Sequence, residues 1–259
     1  MNKILCLLGG VFLSLCSCQG NAKSDREVTE IEKEKQTQVL VFSKTNGYRH
    51  ASIERGTALI KELGTANNFR VSATEDSLEI NTKRLAETDL IVFLNTTLDV
   101  LGPDQEQALE KYIRQGGAFF GIHSAADTEY DWPFYGQLVG AYFDGHPNNP
   151  NMRTARVFKS EQDHPTTAHF ADTVVRKDEW YNYKSWNAEI IPLLYLDESS
   201  YEGGTNGDDH PIAWFHESLG GRSYYMGAGH DAAAFDEPDF QEHMLRAIQW
   251  TLGREVSGY

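Results

Sequence analysis

Four histidines stand at turns or strand ends: His50, His123, His146 and His230. Imidazoles beside a carboxylate permit two kinds of chemistry. They transfer protons near neutral pH, because the unperturbed histidine pKa is about 6.5. They also bind a divalent metal such as zinc while leaving a position open for water. Taken singly, each has an ordinary reading as a solvated or locally hydrogen-bonded turn residue. No local H-x-x-x-H or H-E-x-x-H spacing is present, so metal ligands (His50, His123 and His230) would have to come from separate loops.

His123 has the most distinctive setting. Gly116-Gly117 suits a left-handed cap, Ala118–Ile122 is a continuous apolar run, and Ser124-Ala125-Ala126 permits a tight exit. That pattern predicts a helix end, a strand buried on both faces, and an elbow that lifts one side chain. Many α/β enzymes keep a nucleophile there, but an imidazole is a poor acyl nucleophile. His230 leaves another apolar run through Gly227-Ala228-Gly229, with Asp231 to orient it or to cap the next turn. His50 and Glu54 are four apart at a predicted helix start and would share a face. Asp127 reads either as a site residue or as an N-cap. Glu179-Trp180-Tyr181-Asn182-Tyr183 mixes rings with a carboxylate and is the most site-like of the aromatic stretches in the second half, most of whose rings read as core. His164, His169, His216 and His243 are assigned to structure or surface.

The elements that must position these residues alternate. Strands are predicted at 38–43, 69–73, 89–94 and 118–122, with helices at 52–63 (ended by Gly64), 81–87 and 103–115 between them. That rhythm implies right-handed crossovers and a mostly parallel sheet with its crevice beyond the strand carboxyl ends. Loops 44–50, 95–102 and 123–127 leave that edge, which places His50, Asn95 and His123 together. The second half reads as a short helical piece from Asp131, strands at 154–158, 180–183, 193–196, 212–215 and 223–226, and a helix at 238–252. Glu217–Gly221 makes a hairpin of the last two strands.

Met1–Cys18 reads as an export signal, with Cys18 as the lipidated residue after Leu15-Cys16-Ser17. Residues 19–37 form a polar tether, and 38–253 a single domain. All three cysteines (Cys6, Cys16 and Cys18) lie in the leader, so the domain holds no disulfide and no catalytic thiol. The net charge is −15, from 23 basic and 38 acidic residues, which disfavours a phosphate backbone as partner. Membrane attachment is expected through lipid alone.

Asn46-Gly47-Tyr48-Arg49-His50, Gly121-Ile122-His123, Glu179-Trp180-Tyr181, His210-Pro211-Ile212-Ala213-Trp214 and Gly227-Ala228-Gly229-His230 together resemble the trehalose-utilisation (ThuA-like) family. The resemblance implies a flavodoxin-like, class I glutamine amidotransferase-like α/β fold, with helices on both faces of a mostly parallel sheet and an added β-hairpin region. It also implies a role in sugar utilisation. The amidotransferases keep a cysteine at the elbow; His123 stands there instead, which excludes glutamine hydrolysis through a thiol. The leading expectation is an exported enzyme acting on a di- or oligosaccharide or modified sugar, as a glycosyl hydrolase or an isomerase or lyase. His123, His230, Glu54 and Glu179 would be catalytic, and His50, Asn95, Asp127, His146, Trp180 and Tyr183 would bind substrate. The alternatives are a non-catalytic saccharide-binding lipoprotein and a structural partner in a glycan-degrading assembly.

Overall fold

The computed structural model describes residues 36–256 and 258; the expected leader, Cys18 and nearly all of the tether lie outside them. The order of elements begins with β1 (Thr37–Phe42), α1 (Ile53–Ala66), β2 (Phe69–Thr74), α2 (Thr82–Leu85), β3 (Leu90–Leu94), α3 (Pro103–Arg114) and β4 (Ala118–Ile122). It continues with α4 (Pro133–Val139), β5 (Tyr142–Gly145), β6 (Met152–Lys159), β7 (Thr173–Glu179), β8 (Asn182–Lys184) and β9 (Ile191–Asp197). β10 (Pro211–His216), β11 (Ser223–Met226) and α5 (Pro238–Thr251) complete it.

One nine-stranded sheet runs β2-β1-β3-β4-β11-β10-β9-β6-β7. Its first five strands are parallel. β3 (LIVFL) and β4 (AFFGI) are buried at every residue, as continuous apolar runs in a covered parallel sheet must be. β10, β9, β6 and β7 extend the sheet in antiparallel pairing. The expected hairpin of β10 and β11 is present, and three more strands, β9, β6 and β7, extend the sheet beyond it. β5 and β8 form a separate two-stranded ribbon.

Local chemistry explains most element boundaries. Pro103 stands in the first turn of α3, where its missing N–H costs nothing, and Asp104 and Glu106 favour the positive helix end. Gly116 adopts φ 94° just past the end of that helix. Gly64 does not end α1, which runs on to Ala66. A Cβ there would lie 2.7 Å from the Phe69 carbonyl oxygen and from Val71, so the glycine serves close packing of α1 on β2. The strand expected at 180–183 is displaced: β7 ends at Glu179, and Trp180 and Tyr181 bridge to β8.

Candidate functional site

The carboxyl ends of β1, β3, β4 and β11 share one edge, and each feeds a loop into the site. His50 lies three residues before the start of α1, buried at 2% exposure. Asn95 follows β3 with φ 52°, and His123 follows β4 with φ 48°. Backbone in the left-handed region costs an ordinary residue roughly 1 kcal/mol or more, and it persists where surrounding contacts over-determine it. Here the contacts are specific. Asn95 Nδ2 donates to Ser52 Oγ (2.8 Å) and to the Gly229 carbonyl (3.1 Å), and Ser52 Oγ donates to that same carbonyl (3.0 Å). This latch ties the His50 loop to the His230 loop. The His123 carbonyl accepts from Tyr225 Oη at 2.7 Å.

Glu179 arrives by another route. It ends β7, the strand at the far edge of the sheet. Asp178 beside it is fully buried and accepts from the backbone N–H of Gly229 (2.9 Å) and His230 (3.1 Å). That clamp fastens the end of β7 onto the exit of β11. Glu179 Oε2 then lies 3.3 Å from His123 Nε2 and 2.9 Å from His230 Nδ1. Its Oε1 accepts from Asn151 Nδ2 at 2.6 Å and sits 3.6 Å from His146 Nε2.

His50, His123, Glu179 and His230 thus offer one ligand atom each within 4.8 Å of one another, the only such group among the described residues. The donor set fits a divalent cation. His123 Nε2 and His230 Nδ1 are buried without an aligned hydrogen-bond partner. His123 Nδ1 donates to the Gly227 carbonyl (2.8 Å), the outer contact that fixes tautomer and ring orientation in metal-bound histidines. Ser124 Oγ, 3.3 Å from His50 Nδ1, leaves that ring's other nitrogen available.

The electrostatics agree with the geometry. Burial, helped by the neighbouring imidazoles, pushes the His50 pKa down to about 2, which keeps its ring neutral. Burial alone would raise Glu179, but the imidazoles of His123 and His230 outweigh it and hold the carboxylate ionised. Burial alone would lower His230, and Glu179 reverses that and raises it. Asp127 is raised by burial against the opposing bond from Tyr130 Oη. It caps no helix; its Oδ1 accepts from that hydroxyl. Asp231, by contrast, is a cap, accepting from Ala233 N–H at 3.2 Å.

Three expected site residues are elsewhere. Glu54 is 68% exposed and pairs with Arg49 at 2.7 Å instead of facing the His50 ring. Trp180 is buried, donating its indole N–H to the Arg153 carbonyl (2.8 Å). Tyr183 is buried with its hydroxyl 3.1 Å from Tyr225 Oη. A ring enclosed in this way has no face for a sugar. The sequence reading assigned no role to Ser124, Asn151, Asp178 or Tyr181, whose ring packs 4.2 Å from that of His123. Nothing in residue type or spacing marks Asn151 and Asp178, which act through long-range contacts, whereas Ser124 and Tyr181 lie in the stretches around His123 and Glu179 that the sequence did mark.

A mostly parallel α/β sheet with an imidazole at the end of β4, and a carboxylate brought to it from the edge strand, defines the class of fold and site, with no thiol among the described residues. The chain belongs to the ThuA family, trehalose utilisation, whose sequence model it matches over residues 38–251. Its structure is similar to a ThuA-like protein from Bacteroides uniformis: 23% identity over 86% of this chain and 94% of that one, TM-score 0.73. It is also similar to a ThuA-like protein from Parabacteroides merdae, with 16% identity over 86% and 92% of the two chains and a TM-score of 0.69. A β-galactosidase from Bacillus circulans sp. alkalophilus shares the fold over 86% of this chain and 32% of its own, at 12% identity and TM-score 0.53. Curated protein sequences give no match.

Proposed function

We propose that this ThuA-family protein is an exported enzyme that processes a di- or oligosaccharide or modified sugar at a divalent cation held by His50, His123, Glu179 and His230. The convergence of four ligating groups from four separate segments, two of them with unpartnered buried nitrogens, carries this reading. Three imidazoles and one carboxylate suit zinc or another first-row divalent ion. When bound, such an ion would polarise a sugar carbonyl or lower the pKa of a sugar hydroxyl.

The chain's own residues supply the rest. In this reading His146, whose Nε2 lies 3.6 Å from Glu179 Oε1, and Asp127, whose electrostatics couple to His123, His146 and Glu179, would take and return a proton. His146 Nδ1 donates to the Pro147 carbonyl (2.8 Å), so Nε2 is the accepting nitrogen. Isomerase- or lyase-type proton transfer is favoured over glycoside hydrolysis. Hydrolysis needs two working carboxylates, and Glu179 is engaged by the imidazoles. The family match to trehalose utilisation supports a saccharide as substrate. A lipid on Cys18 would tether the protein to the cell envelope; a Cys18→Ala protein recovered in the membrane fraction like the wild type would remove the anchor.

The test is elemental analysis of purified protein followed by a saccharide turnover screen with and without chelator. About one divalent ion per chain and chelator-sensitive turnover are expected. Protein that retains no metal after dialysis against zinc, manganese or iron would end the metal reading. Saccharide binding with no turnover in metal-loaded protein would identify a binding lipoprotein instead.

A further inference from the structure

Six large apolar side chains are exposed among the described residues, and three of them, Tyr48 (65%), Leu98 (41%) and Tyr130 (36%), lie on the loops that deliver His50, Asn95 and His123. Tyr48 borders the cluster directly, against the rings of His50 and His230, and Leu98 and Tyr130 lie on the loops beside it. Leu98 abuts the Tyr48 loop, since a Cβ on Gly47 would lie 3.0 Å from its side chain. Its backbone bonds the third loop, with Leu98 N–H donating to the Asp127 carbonyl and Glu129 N–H to the Leu98 carbonyl. Leu98 and Glu129 hold φ of 60° and 52°. A leucine at positive φ is strained backbone, and Leu98 keeps 41% of its surface exposed.

Tyr48 is built to present its ring. Asn46 N–H donates to the Thr97 carbonyl (3.0 Å), Gly47 N–H to Thr97 Oγ1 (3.1 Å), and Thr97 Oγ1 to the Tyr48 carbonyl (3.2 Å). The ring lies parallel to the His230 imidazole at 6.2 Å and meets the His50 ring edge-on at 4.8 Å. Tyr130 is partly covered, against Tyr142 at 5.1 Å and beneath Lys184 at 5.8 Å. An exposed, pinned aromatic beside a polar centre matches the two-sidedness of a pyranose, whose C–H face packs on a ring while its hydroxyls reach polar groups. A ring carried on backbone that is already held in place needs no loop ordering when it binds.

We propose that Tyr48 is the platform on which the processed pyranose ring stacks, and that Leu98 and Tyr130 continue the rim beneath a second ring. The proposal rests on the saccharide reading above. The full chain, metal-loaded, is titrated calorimetrically with trehalose, cellobiose and glucose. Tyr48→Ala should weaken binding by about tenfold or more, equivalent to roughly 1.4 kcal/mol, with metal content unchanged by elemental analysis. Tyr48→Phe, which keeps the ring and loses the hydroxyl, should bind like the wild type. Leu98→Asn suits the positive φ and should weaken the disaccharides while sparing glucose; equal loss for both removes the second-ring assignment. Wild-type binding that survives Tyr48→Ala, or falls equally in Tyr48→Phe, overturns the platform and leaves the saccharide reading standing. A wild type that binds none of the three sugars overturns both.

Discussion

His123 Nδ1 stands 2.8 Å from the carbonyl oxygen of Gly227. A carbonyl only accepts, so Nδ1 carries the proton, and Nε2 turns a lone pair toward Glu179 Oε2, 3.3 Å away. Two buried lone pairs facing each other repel unless a cation lies between them. A proton relieves one such contact; a divalent ion relieves all those that converge on Glu179.

Replacing His123 by alanine should therefore reduce metal content well below that of the wild type. It should also abolish the rise in thermal midpoint that metal gives by binding the folded state alone, about 2.7 kcal/mol at a hundredfold excess over Kd. Elemental analysis and a melt with and without added zinc measure both. Unchanged metal content would remove His123 from the ligand set.

Asp178→Asn should weaken metal binding by about 10- to 100-fold, as loss of an outer contact does. Asparagine keeps one acceptor oxygen for the two N–H groups of Gly229 and His230. The other N–H is left buried, at a cost of about 1–3 kcal/mol. Competition with a chromogenic chelator reads the affinity, and urea unfolding reads the stability. A purely structural role would change the second without the first.

Metal-free protein should lose stability as pH falls below about 6.5. Burial lowers His164 to about 4, and also lowers His50, His169, His210, His216 and His243. The unfolded chain then takes up protons that the folded chain refuses, so the stability these rings contribute above 6.5 drains away in acid. His164 alone accounts for roughly 3 kcal/mol by pH 4. His230, raised by Glu179, works in the opposite direction. Urea midpoints at pH 7.5 and 5 test this, and equal values would contradict it.

Two residues expected at the site should behave as the fold dictates. Trp180→Ala should cost about 3–5 kcal/mol by urea unfolding, because it empties a buried indole site. Glu54→Ala removes an exposed ion pair with Arg49 and should change stability by under about 1 kcal/mol. Metal content should be untouched. A loss of metal in Glu54→Ala would place that carboxylate back in the site.

The sequence by itself determined the parallel half of the sheet. Val39–Phe42, Leu90–Leu94 and Ala118–Ile122 are apolar without interruption, and the helices between them leave few alternatives to right-handed crossovers. From that alone, His50, Asn95 and His123 had to share one edge. The tertiary structure decided the fourth ligand. Glu179 sits next to Asp178 on the outermost strand, and only the clamp onto Gly229 and His230 brings it to the imidazoles. It also decided which aromatics are free. Trp180 and Tyr183 look site-like because they adjoin Glu179 in the chain, yet both are enclosed, while Tyr48 lies open beside His50 and His230. Periodicity reports which elements form, because it reflects local burial; which side chains meet across 50 or 100 residues depends on packing that no local pattern encodes.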